Sequence, residues 1–430
     1  MPKESSDDRN VWLDGVEIAG FRSCHHTVVR PNLDLTALIG VNGAGKTNVL
    51  HAIRLLRART GRGIFPSGRD AATPDEVLLT AWFRVGEHRV GLKVKLMPDA
   101  SRREGELFTV EELWNFGSLT GSRVWRSMAP FALLHESTHL GGRVRSVVID
   151  SSREFVQYIA PGRVRALKDF DPTLGGNRQV MATFKAIADF RAGISYYSAS
   201  QFTDPTRCPT NFEVDEDGRL VEQYTTTALS HLRFLHDLYQ LKKKNRSMYD
   251  EFCRFVSRRQ LGLVSRIVWK EIELSSSAAE VRHGGGVKKI RKRKTLVIPK
   301  VQVGSARITF NQLSEGTFKT LALAFYVVTD ASRFLMVEEP EVCVHYGLLS
   351  RLVDTLKAYS HRKQIIISTH SDQLVDALEP NNIHVVEMQS GNTQVTPLNN
   401  WLDSAGKQAL HTYLAETGSL GEYWRSGGLS

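Results

Sequence analysis

Short apolar runs that end in glycine or in acids, spaced by stretches of helical periodicity, dominate the hydropathy pattern of this chain. Leu35, Ala37, Leu38 and Ile39 read as a buried strand, and Val49, Leu50, Ile53 and Leu56 recur at the spacing of one helix face. Val77 to Val85 and Val90 to Leu96 alternate around Gly86-Glu87-His88, which predicts an antiparallel hairpin. Ile194 to Tyr197, Ile267 to Leu274, Thr295 to Val303, Ile383 to Met388 and Gln394 to Leu398 read as further strands. Ala228 to Gln260 is helical by pattern, with Leu229, Leu232, Leu235, Leu238 and Leu241 on one stripe and Phe252 and Phe255 beyond. So short a stripe fits core packing, with a dimer-forming arm as the alternative. The mixture of the two periods predicts an α/β protein.

Composition narrows the class only a little. The 430 residues suffice for two or three lobes, and 41% hydrophobic with 24% charged residues is ordinary for a soluble globular chain. No apolar run reaches membrane-spanning length, and the opening Met1-Pro2-Lys3-Glu4-Ser5-Ser6-Asp7-Asp8 is too polar for a signal peptide, so a cytoplasmic protein with no membrane partner is expected. Cys24, Cys208, Cys253 and Cys343 are scattered, which fits a reducing compartment and argues against a zinc site. The net charge of +10 suits a polyanionic partner, and equally a phosphate-binding enzyme.

Chemistry enters at residues 40–47. Gly40-Val41-Asn42-Gly43-Ala44-Gly45-Lys46-Thr47 is a complete G-x-x-x-x-G-K-[ST] phosphate loop, set between the predicted strand and helix that give such a motif its meaning. Glycines let backbone N–H groups close on phosphate oxygens, and the helix start adds its dipole. Lys46 then reaches the β- and γ-phosphates of ATP and the Thr47 hydroxyl ligates Mg²⁺. Three later segments extend the site. Phe334-Leu335-Met336-Val337 runs into Glu338-Glu339-Pro340-Glu341, so that Glu338 would hold Mg²⁺, directly or through water, and Glu339 would polarise the attacking water. The apolar strand from Gln364 ends in His370, a candidate contact to the γ-phosphate. Ser314-Glu315-Gly316 precedes an apolar helix from Phe318 to Val328 and forms a second anion-binding helix start, or simply a cap.

The order phosphate loop, Ser-Glu-Gly helix, Glu-Glu strand, histidine strand resembles that of the ATP-binding cassette (ABC) ATPases, with Ser314, Glu315 and Gly316 in the place of the signature and His370 as the switch histidine. The wording is similar to the branch that holds SMC, RecF and the overcoming-lysogenization-defect (OLD) nucleases. Val16-Glu17-Ile18-Ala19-Gly20-Phe21-Arg22-Ser23 resembles that branch's first strand and its Phe-Arg/Lys-Ser turn, and Asn48 its frequent G-K-[ST]-N. Glu338-Glu339-Pro340-Glu341 with His345 resembles E-E-P-E-x-x-L-H-P, with Val344 and Tyr346 departing from it. The resemblance covers about residues 12–100 and 295–400. It implies an ABC-ATPase head, a mixed sheet with a phosphate-loop core plus an antiparallel β subdomain, carrying a helical insertion. Nucleotide contacts are then expected from Arg22, Asn42, Gly43, Ala44, Gly45, Lys46, Thr47 and Asn48, and from Ser314 to Gly316 of a second copy in a head-to-tail homodimer or higher homo-oligomer. Gln201, after the strand at 194–197, is a candidate for the glutamine that senses Mg²⁺ in such enzymes.

The expected organisation is a first ATPase lobe over 1–115, a mainly helical insertion over 116–270, a second lobe over 271–400 and a tail over 401–430. The run Lys288-Lys289-Ile290-Arg291-Lys292-Arg293-Lys294 follows Gly284-Gly285-Gly286 and reads as a flexible loop, either a solvated hairpin tip or a contact to DNA or RNA phosphates. No TOPRIM-like acid cluster or other effector signature is apparent, and the stretch after residue 400 is too short for a nuclease domain. Compact cassettes of this kind resemble the ATPase subunits of bacterial antiphage systems, which act with a separately encoded effector. The rivals are a RecF-like DNA-repair ATPase and a scaffold that holds ATP structurally.

Overall fold

The computed structural model describes residues 11–57, 76–98, 108–117, 126–127, 156–160, 163–166, 178–221, 229–257, 260–281, 287–330, 332–342, 344, 346–416 and 418–428. The chain divides into two compact units, one of residues 1–196, 331–338 and 356–430, the other of 197–330 and 339–355.

The first unit holds two six-stranded sheets. The antiparallel one comprises β1 (Val11–Ala19), β2 (Thr27–Val29), β4 (Val77–Val85), β5 (His88–Pro98), β6 (Phe108–Asn115) and β7 (Arg126–Ser127), in the order β2-β1-β4-β5-β6-β7. Its centre is the hairpin read from the alternation at 77–96. The other sheet runs β10-β15-β16-β3-β17-β18, from β3 (Leu35–Ile39), β10 (Ile194–Ser198), β15 (Phe334–Glu338), β16 (Gln364–Thr369), β17 (Ile383–Gln389) and β18 (Asn392–Pro397). Strands β15, β16, β3 and β17 are parallel, and β18 closes the edge antiparallel to β17. Every residue of β3, β15 and β16 is buried, as near-continuous apolar runs in a covered parallel sheet should be. The α/β class, the phosphate-loop sheet and the antiparallel sheet are those the sequence implies. A small separate hairpin pairs β8 (Val156–Ala160) with β9 (Arg163–Ala166).

One core joins both sheets to helices α1 (Lys46–Arg54) and α2 (Arg178–Ala192). Phe190 of α2 meets the ring of Phe83 on β4 and that of Phe334 on β15, each at 5.8 Å between centroids. Gln364, fully buried at the start of β16, repairs the bulge between Leu13 and Gly15 in β1: it accepts from Leu13 N at 2.7 Å and donates to Leu13 O at 3.0 Å. A buried bulge leaves backbone groups that need such a partner.

The second unit contains α3 (Leu229–Lys244), α4 (Arg246–Val256) and α5 (Glu315–Thr329), with β11 (Phe212–Asp215), β12 (Arg266–Val281), β13 (Val287–Val303) and β14 (Ala306–Thr309). Phe202, Phe234, Phe318 and Phe325 meet edge to face in its core. Leu232, Leu235 and Leu238 are buried, the core-packing reading of that stripe. The single helix expected over 228–260 is two, because Asn245 leaves helical geometry and accepts from Met248 N at 3.1 Å, capping α4. The basic run is not a loop. Its residues continue β13, paired with β12 from Leu274↔Lys294 to Glu280↔Lys288. Lysine, arginine and nearby glycines lowered the apparent strand propensity, and cross-strand pairing overrides it. Gly284 to Gly286 and His345 lie outside the described residues.

Helix α6 (Tyr346–Ser360) carries the chain from the second unit into the first, where α7 (Asp372–Asp376), α8 (Leu398–Trp401), α9 (Ser404–Glu416) and α10 (Leu420–Tyr423) complete it. Among the described residues no helix is long and apolar enough to cross a membrane.

Candidate nucleotide site

β3 delivers the chain to Gly40 at the carboxyl edge of the parallel sheet, and the next residues turn tightly into α1. A Cβ on Gly40 would lie 2.2 Å from the Val386 carbonyl oxygen, and one on Gly45, at φ 102°, would lie 2.0 Å from Thr393 Oγ1. Only glycine fits either place. No side chain caps α1, and Val41, Asn42 and Gly43 are exposed, so the first N–H groups of the helix face an open loop. Buried Lys46 donates to the carbonyls of Gly40 at 2.7 Å and Val41 at 3.1 Å, which arches it over that loop.

Glu338 is the last residue of β15, one strand beyond β16, so its carboxylate emerges at the same edge. Thr47 donates to its Oε1 and Tyr196 of β10 donates to its Oε2. The Tyr196 hydroxyl also meets His51 Nε2 at 3.1 Å, and His51 Nδ1 meets an Arg22 guanidinium nitrogen at 3.4 Å. Arg22, in a left-handed backbone turn at φ 53°, donates to Asn48 Oδ1 at 3.1 Å. Asn48 donates to Ser23 Oγ at 2.8 Å, and Ser23 shares a hydrogen bond with Thr393, whose hydroxyl reaches the Ala44 carbonyl at 3.2 Å. Burial holds His51 below its ordinary pKa; Glu338 pulls the other way, and Arg22 and Arg54 reinforce the burial. Of this network the sequence pointed to Arg22, Thr47, Asn48 and Glu338. His51, Tyr196 and Thr393 were missed. His51 carried a signal, because it lies four residues after Thr47 on the same helix face. Tyr196 carried none.

His370 follows β16 at the same edge and is exposed. The turn beyond it is well tied. Ser371 N donates to Thr369 Oγ1 at 3.0 Å, and Ser371 Oγ accepts from Leu374 N at 3.3 Å to cap α7. The chain's last described segment clasps α7: Gly421 N donates to Asp376 Oδ1 at 2.6 Å, and Arg425 pairs with Asp372 at 3.0 Å. Tyr423 packs on Tyr413 at 5.3 Å, so the aromatic tail folds back on its own chain.

The remaining expected residues belong to the second unit. Ser314 caps α5, accepting from Thr317 N at 3.3 Å; Ser314 and Glu315 are exposed. Glu315 pairs with buried Lys319 at 2.9 Å, and Phe318 anchors the helix beneath this cap against His231, ring on ring at 5.2 Å. Glu339 has φ 46°, a left-handed conformation a glutamate rarely adopts, and strain of this kind gathers at functional positions. Gln201 is exposed on the short 3-10 turn Ala199–Phe202.

Hard oxygen donors, Thr47 and Glu338, side by side with a buried lysine and an uncapped helix start form a donor set suited to a phosphate chain and Mg²⁺. An open cavity of about 570 Å³, lined by Trp12, Asp14, Asn32, Leu33, Arg84 and His361, lies at the opposite ends of β3 and β16 and shares none of these residues.

Fold and site together define an α/β phosphate-loop protein. Residues 286–376, which hold α5, β15, β16 and His370, match the family described as "AAA domain, putative AbiEii toxin, Type IV TA system". No curated protein matches the chain. Similar solved structures include an SMC head bound to the C-terminal winged-helix domain of ScpA (14% identity, 90% of this chain and 97% of that one, TM-score 0.49). Others are the SMC head domain of Thermotoga maritima (14%, 90% and 98%, 0.40) and an SMC head with an extended coiled coil, from Pyrococcus furiosus, bound to the C-terminal domain of ScpA (13%, 95% and 100%, 0.46).

Proposed function

We propose that the chain is an ABC-type ATPase that closes head to tail around ATP, and that it serves as the sensing subunit of a bacterial antiphage system with a separately encoded effector. The observation that carries the ATPase reading is the Thr47–Glu338 pair beside Lys46 at the end of β3. Lys46 and the loop N–H groups would hold the phosphates, and Thr47 and Glu338 would hold Mg²⁺, which would offset charge on the phosphate oxygens. Glu339 would orient and deprotonate the attacking water, with His370 at the γ-phosphate. Ser314 to Gly316 at the start of α5, of which Ser314 and Glu315 are exposed, would meet the nucleotide of the opposing copy. Closure on ATP and opening on hydrolysis would be the output. The defence role is supported by the description of the matching family, a toxin–antitoxin one, and by the resemblance to OLD-like cassettes.

A nucleic-acid trigger fits the paired basic strand. Residues 288–293 lie beyond the pairing of β13 with β11, which ends at Lys294, so that part of the hairpin is two-stranded. A two-stranded ribbon is of a size that the major groove of B-form DNA admits, and the cationic sequence suits its phosphates.

The test of the composite site mixes two inactive variants. Ser314→Arg puts a bulky cation at the opposing γ-phosphate position, and Lys46→Ala removes the phosphate lysine. Equal mixing with subunit exchange should restore roughly a quarter of wild-type turnover, since half the dimers gain one intact site of two. No recovery from two folded, exchanging variants would refute the head-to-tail arrangement.

A further inference from the structure

We propose that Tyr196, held by His51, is a positioning residue for the metal-binding carboxylate, and that Arg22, His51, Tyr196 and Glu338 act as one directed chain of hydrogen bonds. The inference rests on the reading of Glu338 as the Mg²⁺-binding group.

Proton counting fixes the direction. A tyrosine hydroxyl has one proton, and here it goes to Glu338 Oε2. At 3.1 Å from His51 Nε2, the phenol oxygen must therefore accept, so His51 carries its proton on Nε2. Nδ1 is then bare and accepts from Arg22, which is always a donor. The chain begins on a cation and ends on an anion, with two neutral groups between them oriented alike. Each bond polarises the next.

The geometry leaves the carboxylate little freedom. Thr47 occupies Oε1 while Tyr196 occupies Oε2, so rotation of the carboxylate breaks a bond on one side or the other. The phenol ring is itself pinned, with the Arg54 guanidinium 5.2 Å from its centroid and the His51 ring against it edge-on at 5.3 Å. Tyr196 can reach because β10 is the strand next to β15. Thr47, His51 and Arg54 share one face of α1, so the helix that begins at the phosphate loop also sets the orientation of the group two strands away from it. A carboxylate fixed before the cation arrives loses less freedom on binding it, the usual advantage of second-layer hydrogen bonds to a metal ligand.

The test measures binding rather than turnover. A fluorescent ATP analogue is titrated in EDTA and then at fixed nucleotide with rising Mg²⁺. Tyr196→Phe, which keeps the ring and deletes the hydroxyl, should leave the EDTA affinity within about two-fold and raise half-saturating Mg²⁺ roughly ten-fold, the scale of one hydrogen bond to a charged group. His51→Leu should behave the same way. His51→Gln, whose amide can donate to the phenol and accept from Arg22, should return Mg²⁺ dependence to within about three-fold of wild type. An unchanged or lower Mg²⁺ requirement in Tyr196→Phe overturns the proposal, as does a Gln variant no better than Leu. Should Tyr196→Phe not fold, the His51 pair decides alone. A wild-type protein that binds no nucleotide at all would instead defeat the reading of the site.

Discussion

Arg191→Met should lower the melting temperature by roughly 6–20 °C, and the structure gives the reason. The Arg191 side chain, 2% exposed, donates to Glu112 Oε1 at 2.7 Å and through Nε to the Leu56 carbonyl at 2.7 Å. Trp114 Nε1 donates to the other Glu112 oxygen at 3.2 Å, and the guanidinium lies 5.9 Å from the Trp114 ring. Methionine fills much of the same volume but strips a buried carboxylate of its cation and a buried carbonyl of its donor. Removing one partner of such a pair costs about 3–5 kcal/mol. In a domain of 150–250 residues each kcal/mol moves the midpoint by roughly 2–4 °C. Calorimetry and near-ultraviolet circular dichroism read the loss directly. Arg191→Met with Glu112→Leu should regain most of it, because an apolar pair of similar volume carries no stranded charge. A single-variant loss under about 1 kcal/mol, or a double variant no more stable than the single, would refute the reasoning. The site has a stake in the outcome: Arg191 anchors the end of α2, and three residues after it the chain enters β10, which carries Tyr196.

Two further outcomes bear on the chemistry and the trigger. Glu339→Gln should still bind ATP but lose roughly 10²–10⁴ in turnover, as removal of a positioned base does, and accumulate as a closed dimer on size exclusion; wild-type turnover would move the role to Glu338 or Glu341. Replacing the lysines and arginines of 288–294 with serine or glutamine should weaken duplex DNA binding and flatten its salt dependence by about 0.9 in log–log slope per lost phosphate contact. An unchanged slope would remove this strand from the DNA interface.

Much of the parallel sheet was legible because burial on both faces demands uninterrupted apolar runs, and each run ended in a residue with obvious chemistry. The phosphate loop, Glu338 and His370 were read that way, and the three parallel strands that bear them are neighbours. Tyr196 was not legible. In Ile194-Ser195-Tyr196-Tyr197-Ser198 nothing distinguishes one tyrosine from the next until β10 is set beside β15. The left-handed backbone at Glu339 is likewise set by the turn after β15, not by the residue's own preference. The basic strand was read as a loop because charge and glycine were weighed locally, whereas its partner in the ladder begins at Arg266.

The order of strands in the parallel sheet also governs when the site can exist during synthesis. β3, which ends in the phosphate loop, is flanked by β16 and β17, both made roughly 330 residues later. At about 5–20 residues per second, the loop therefore waits roughly 15–65 s on the ribosome with no strand on either side. Over that time the apolar run Leu35 to Ile39 is an unpaired edge that needs shielding, and a nascent chain has no formed nucleotide site to respond with. Competence arrives late and abruptly, once residues beyond 380 emerge and loop closure over most of the chain is complete.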